Sequence, residues 1–394
     1  MRRTLIVAAA LALALGAGAV AYALSVNDAE RSGSSWRRDS CRDAVAAKRY
    51  ARPIAHARAL VSRMKSAFGA PGLQVAVAVD GRIVWSRLCG FASLAAQTPT
   101  TRTTLFRIGS VSKVLTATAL ARLVQRGELE LDAEVQTYVP SFPRKVGPIT
   151  IAQLASHQAG IRHYEGSEAF NTRHYTSVAA ALHIFADDPL LFVPGSDHSY
   201  SSYGFSLLGA ALERVAAARD AEVLRREVLA PLGLKQTRPD SAGLRGRADL
   251  YEVRADRRAA LAPRIDLSDR HPSGGLVSTA EELARLGSKL GDTVFLAAAT
   301  QSTFFAEKRP ANGRRTGYGL GYEVGQSALG RFVGHIGNVV GGTAFLLAHP
   351  QSRVAIAMTT NIGWVTVATP PKLGPSVPDP PQLLVPFIEA RRGG

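Results

Sequence analysis

Ser110 and Lys113 stand three residues apart in "FRIGSVSKVLTATAL" (106–120), at the head of an otherwise apolar stretch. Residues at this spacing share one face of a helix. A serine hydroxyl is a weak nucleophile, and an adjacent amine that has lost its proton can activate it. Burial and nearby cations lower a lysine pKa toward the range where this happens. At a helix start, the open N–H groups can also donate to a developing oxyanion. The pair therefore predicts a nucleophile and its base. A second Ser-x-x-Lys, Ser62 to Lys65, is read as the exposed face of an ordinary helix. Context separates the two, because Ser110 follows a strand-like "TLFRIG" and opens a strongly apolar helix.

Two further stretches carry groups suited to the same reaction. In "VPGSDHSYSSYGFSLLGAALERV", Pro194-Gly195 turns the chain, and Tyr200-Ser201-Ser202 precedes a helix. A tyrosine beside a lysine can exist partly as phenolate or pass a proton to a leaving group. Tyr175-Thr176-Ser177 repeats the pattern and is read as a decoy. In "FVGHIGNVVGGTAFLLAHP", His335-Ile336-Gly337 lies on a strand before a Gly-rich bend. A strand edge beside the serine could pair with a bound peptide and lend an N–H to an oxyanion hole. His335 is expected to point into the cleft as a donor.

Taken in order, Ser-x-x-Lys, Tyr-x-Ser and His-x-Gly resemble the serine β-lactamase-like and penicillin-binding-protein superfamily, in its class C branch. The stretches "RIGSVSKVLTATALARLVQRGELELDAEVQTYVPSFP", "SHQAGIRHYEG", "DDPLLFVPGSDHSYSSYGFSLLGAALE" and "GHIGNVVGG" are most similar to the mitochondrial serine β-lactamase-like protein family. The resemblance covers about residues 58 to 392. It implies Ser110 as nucleophile, Lys113 as base and Tyr200 as proton relay. It also implies oxyanion donors in the N–H groups of Ser110 and Asn338, and substrate contacts from His335, Gly337, Asn338 and Ser202.

Two departures bear on the substrate. Ser202 stands where class C enzymes carry asparagine, and His335 stands where many relatives carry lysine. A neutral imidazole anchors a carboxylate less firmly than an ammonium. The expectation is therefore a serine hydrolase that forms an acyl-enzyme on a peptide, amide or ester. One alternative is a penicillin-binding D-Ala-D-Ala peptidase or a true class C β-lactamase. Another is a non-catalytic envelope or assembly protein on the same fold.

The elements that must position these groups form an α+β, β-lactamase/transpeptidase-like fold: an antiparallel sheet flanked by helices, with a large, mostly helical insert. Residues 1–23 read as a signal peptide or membrane anchor, 24–57 as a polar linker, and 58–394 as the hydrolase domain. Within that domain, 58–109 and 317–394 build the sheet region and 110–316 the helical region. A helix is expected from about Pro53 to Gly69, and a hairpin turns at Asp80-Gly81.

The N-terminal reading rests on Arg2 and Arg3, the apolar run Leu5–Val20 and the small-x-small site Ala21-Tyr22-Ala23. It predicts a periplasmic or secreted protein, either released by cleavage or held at the inner membrane by that segment alone. Export permits a disulfide between the two cysteines, Cys41 and Cys89, but the sequence leaves the pairing open. The chain of 394 residues carries a formal charge of +16 with scattered arginines. No basic-aromatic interleaving suggests a nucleic-acid partner. The nine histidines show no metal-ligand spacing, so neither metal nor cofactor is expected. "GQSALG" misses the α/β-hydrolase elbow at Leu329. The partner expected is a small-molecule or peptide substrate, and oligomeric state is not legible.

Overall fold

The computed structural model describes residues 40–253, 259–363 and 380–392. The expected signal or anchor, residues 24–39 of the expected linker and most of the Pro-rich bend fall outside them. Among the described residues no helix is long and apolar enough to cross a membrane.

Seven strands form one antiparallel sheet: β1 (Cys41–Ala46), β2 (Gly72–Val79), β3 (Arg82–Ser93), β4 (Glu323–Ser327), β5 (Gly330–Val339), β6 (Gly342–His349) and β7 (Val354–Thr360). Their order is β1-β3-β2-β7-β6-β5-β4, and a two-residue strand, Thr98–Pro99, adds to the end of β3. Strands from both ends of the chain thus meet in one sheet, as the sequence predicts. The hairpin turns at Asp80 and Gly81, whose φ values of 52° and 80° match the left-handed conformation that a two-residue turn demands.

Alternation along the central strands sorts side chains by size. Leu73, Val75, Val77, Val354, Ile356 and Met358 face a layer made by helices α1 (Ala51–Phe68) and α5 (Pro380–Arg392). Ala76, Ala78, Ala355 and Ala357 face the opposite layer. Those alanines let helix α4 (Ala280–Lys289) lie close on the sheet. A Cβ added to Gly287 would sit 2.7 Å from Leu346 and 2.8 Å from Ala355. Helix α2 (Ser112–Gln125) runs through the middle of this second layer, beside α3 (Ser202–Ala216), and is buried on nearly every side. The 110–316 insert is less helical than expected. It includes strand Leu276–Ser278 between Arg238–Pro239 and Phe106–Arg107, and a hairpin of Tyr251–Val253 with Ala259–Leu261.

The linker expectation needs correction from residue 41 onward. That stretch supplies edge strand β1 and the first turns of α1. Its polarity misled because β1 is held by ionic and covalent contacts rather than by an apolar face. Asp43 accepts from Arg58 at 2.8 Å and from Arg87 at 2.9 Å. Cys41 lies directly opposite Cys89 in the β1–β3 register and is joined to it by a disulfide.

The bridge closes a loop with a sequence separation of 48. Loop-closure entropy puts its contribution at up to about 4 kcal/mol. Cys41→Ser/Cys89→Ser is expected to lose about 2–4 kcal/mol in urea unfolding, with acylation of the folded protein unchanged. A loss under ~0.5 kcal/mol would contradict the role given to the bridge.

Candidate active site

Ser110 sits in a single 3-10 turn, Gly109–Val111, that leads directly into α2. The turn presses against β5. A Cβ on Gly337 would lie 1.9 Å from the Ile108 carbonyl oxygen and 3.0 Å from the Ser110 nitrogen. A Cβ on Gly109 would meet the Asn338 nitrogen at 2.7 Å. Gly337 therefore matters for close backbone approach rather than for any group it could offer a substrate. Buried Arg107 fastens the same junction. It donates to Asp240 at 2.7 Å and to the Val340 carbonyl at 2.9 Å, tying the strand before Ser110 to the turn after β5.

Lys113 is fully buried. Its Nζ lies 2.8 Å from the Ser273 carbonyl oxygen, 3.1 Å from Ser202 Oγ and 3.4 Å from Ser110 Oγ. It also lies 4.7 Å from the Tyr200 ring centroid and 5.3 Å from that of Phe205. Burial pushes its pKa well below the ordinary lysine value, opposed only by Glu323. A neutral amine has two hydrogens and one lone pair. The carbonyl of Ser273 can only accept, and Ser202 Oγ takes the second hydrogen. The lone pair then faces the hydroxyl of Ser110.

The Tyr200 hydroxyl donates to Ser110 Oγ at 2.8 Å. Burial raises its pKa above the ordinary tyrosine value, so Tyr200 is a phenol and not a standing phenolate. His157 holds it in place. That ring packs 4.4 Å from the Tyr200 ring and accepts from the Ser201 N–H at 3.2 Å through Nδ1. Ser201 in turn caps α3, accepting from the Gly204 N–H at 2.9 Å. Tyr200→Phe keeps the ring packing and removes only the hydroxyl. A fall of about 10²-fold in kcat/KM with KM within about threefold of wild type is expected. A variant with near wild-type turnover would exclude the relay.

His335 departs from its expected role. It is buried, and its Nδ1–H donates to the Ile336 carbonyl at 2.6 Å while Nε2 accepts from the Tyr318 hydroxyl at 3.0 Å. Burial and the nearby Lys113 lower its pKa to about 3. It is therefore a neutral ring with both nitrogens engaged, not a donor offered to the cleft. Ser202 likewise turns toward Lys113. Asn338 is exposed, its backbone lies against the Ser110 turn, and its Oδ1 accepts from Thr343 at 3.4 Å.

Several members of the cluster have no motif of their own. Ser273 acts through its carbonyl, which no side-chain pattern reveals. His163 is exposed beside the site, 5.6 Å from the Tyr200 ring, and its Nδ1 accepts from the Ser202 N–H at 3.1 Å. Burial pushes the pKa of Glu323, at the start of β4, up to about 8, opposed by the nearby Ile336 N–H and by Lys113. The paired histidines of "SHQAGIRHYEG" were the available signal for His157 and His163.

The competing motifs fall elsewhere. Tyr175 packs against His183 and Arg173. Ser62-x-x-Lys65 lies on α1, on the other side of the sheet, but Lys65 is buried there rather than exposed. Among the described residues no group of three or more His, Cys, Asp or Glu side chains could hold a metal ion.

A serine and a buried lysine at the start of a core helix, walled by an antiparallel sheet, define the β-lactamase/transpeptidase class of fold. The chain belongs to the Beta-lactamase family, whose model matches residues 57–363. It is similar to the human mitochondrial serine beta-lactamase-like protein LACTB, with 28% identity over 312 residues, 61% of this chain and 57% of that protein. The match thus spans less than two thirds of that relative. It is also similar to esterase EstB of Burkholderia gladioli, with 34% identity over 180 residues, 42% of this chain and 46% of that protein. In fold it resembles the octameric penicillin-binding protein homologue from Pyrococcus abyssi, with a TM-score of 0.69 and 24% identity, covering 81% of this chain and 74% of that one.

Proposed function

We propose that this protein is an exported serine hydrolase that forms an acyl-enzyme at Ser110 on a peptide, amide or ester substrate. The observation that carries this reading is the convergence of Lys113 Nζ at 3.4 Å and the Tyr200 hydroxyl at 2.8 Å on one serine oxygen. Lys113, neutral through burial, takes the Ser110 proton as Oγ attacks the carbonyl carbon. The N–H groups of Ser110 and Asn338 receive the developing oxyanion. Tyr200 protonates the leaving atom, and Lys113 restores that proton. Water then attacks the acyl-enzyme, with the same groups acting in reverse.

The neutral, internally bonded His335 offers no cation for a β-lactam carboxylate. This ranks peptide, amide and ester substrates above antibiotics, in line with the esterase among the relatives. Export, to the periplasm or beyond, draws support from the disulfide and from the apolar N-terminal run.

The test is incubation with a fluorophosphonate, followed by mass spectrometry of the Ser110 peptide. A parallel panel of nitrocefin, p-nitrophenyl acetate and short L- and D-peptides ranks the substrates. One adduct on Ser110, with ester or peptide turnover exceeding nitrocefin turnover, is expected. No adduct and no turnover would leave the non-catalytic reading standing.

A further inference from the structure

The edge of β5 beside the nucleophile bears on how much of a substrate the site can hold. Pairing between β4 and β5 ends where Glu323 faces Gly334. Among the described residues, 335–339 have β6 on one side and no strand on the other. In an antiparallel edge, alternate residues turn both N–H and C=O outward. Ile336 is one of these, since it keeps step with Gly334, which pairs with Glu323, while the Val324 N–H turns away from β5 to the Gly317 carbonyl. Asn338, two residues on toward the Ser110 turn, is the next.

An unpaired strand edge invites an extended peptide to add as another strand. Here the outward edge of Ile336 is already occupied from within. Its carbonyl accepts from His335 Nδ1 at 2.6 Å, and the Glu323 carboxyl stands near its N–H. The two side chains also touch, His335 Nδ1 lying 3.5 Å from Glu323 Oε1. His335 is locked in this role from its far nitrogen by Tyr318 at 3.0 Å. A chain running from Asn338 toward β4 finds the next backbone pair occupied and the Glu323 side chain in its path. Opening that position would strand the buried imidazole, at a cost comparable to that of any lost buried hydrogen bond.

We propose that Glu323 and His335 cap the β5 edge at Ile336. The enzyme then acts on substrates whose chain ends within about one or two residues of the scissile bond on that side, such as terminal peptide bonds, single-residue amides and esters, and not on interior bonds of long peptides. This rests on the acyl-enzyme reading above and narrows its substrate class.

The experiment takes the fastest N-acetyl dipeptide from an L- and D-residue panel. It compares that parent with versions extended by three alanines on the amino side, the carboxyl side or both, scored as kcat/KM by mass spectrometry. In wild type, extension on one side is expected to lower kcat/KM at least tenfold. Glu323→Ala removes the side chain that stands at the edge and should shrink that penalty below threefold. Glu323→Gln keeps a polar side chain of the same length there and should keep the penalty. Using the ratio of long to short substrate cancels any effect of the missing carboxyl on Lys113.

Equal rates at all lengths in wild type would overturn the proposal without needing a variant. So would an undiminished penalty in a Glu323→Ala protein that still accepts the fluorophosphonate. If wild type neither labels nor cleaves the parent, the acyl-enzyme reading itself has failed, and this inference with it.

Discussion

Lys113→Arg is expected to slow acylation of Ser110 by at least about 10³-fold, close to the loss in Lys113→Ala. Arginine keeps the positive charge and much of the length of lysine. It cannot give up its proton at any pH the protein survives, so it cannot serve as base. Nor does its planar fork fit a site built for a single nitrogen among Ser110 Oγ, Ser202 Oγ and the Ser273 carbonyl. Stopped-flow acylation by p-nitrophenyl acetate, or the rate of fluorophosphonate labelling, reads the effect. Retention of more than about a tenth of wild-type rate would remove Lys113 from the role of base.

The same residue carries a stability prediction with a definite sign. The folded-state pKa of Lys113 lies well below its unfolded value of 10.5. Between those two values the unfolded chain binds more protons than the folded one, so stability rises with pH. At neutral pH, Lys113 therefore costs stability. Lys113→Met, of similar volume and without the amine, should be inactive yet at least as stable as wild type. Its stability should also vary less with pH between 7 and 10. Acylation follows the same direction, rising with pH as the amine loses its proton. Glu323, held neutral at pH 7 by a pKa near 8, does little to keep the proton on Lys113.

Ser110→Ala should abolish covalent labelling altogether and lower turnover by about 10⁴-fold or more, since nothing replaces the attacking oxygen. The fold should survive. Ser110 is only partly buried in its turn, and its loss takes a partner from the Tyr200 hydroxyl and from the Lys113 amine, at a cost of about 1–3 kcal/mol. Intact-mass measurement after exposure to the probe decides the matter. An adduct persisting in the variant would redirect attention to Ser202, the other serine hydroxyl bonded to Lys113.

What could be read from residue order was the chemistry of short segments and the two-sided logic of the sheet. Ser110 and Lys113 are three residues apart, and one helical turn sets their relation wherever the helix lies. The Asp80-Gly81 hairpin and the helix from about Pro53 to Gly69 were legible for the same local reason. What the tertiary structure alone decided are the relations between distant segments and the protonation states that follow from them. Burial from every side makes Lys113 a base, and the same surroundings keep Tyr200 from becoming a phenolate beside it; no segment of the chain contains that information. His335 looked like a cleft donor because its strand was correctly placed. Its actual partners are the next carbonyl and a tyrosine 17 residues earlier in the chain. β1 was taken for linker because an edge strand pinned by Cys89, Arg58 and Arg87 needs little apolar pattern of its own. Local periodicity records what a segment does with its neighbours in sequence. Charge, tautomer and reach depend on the low-dielectric surroundings that only the packed chain supplies.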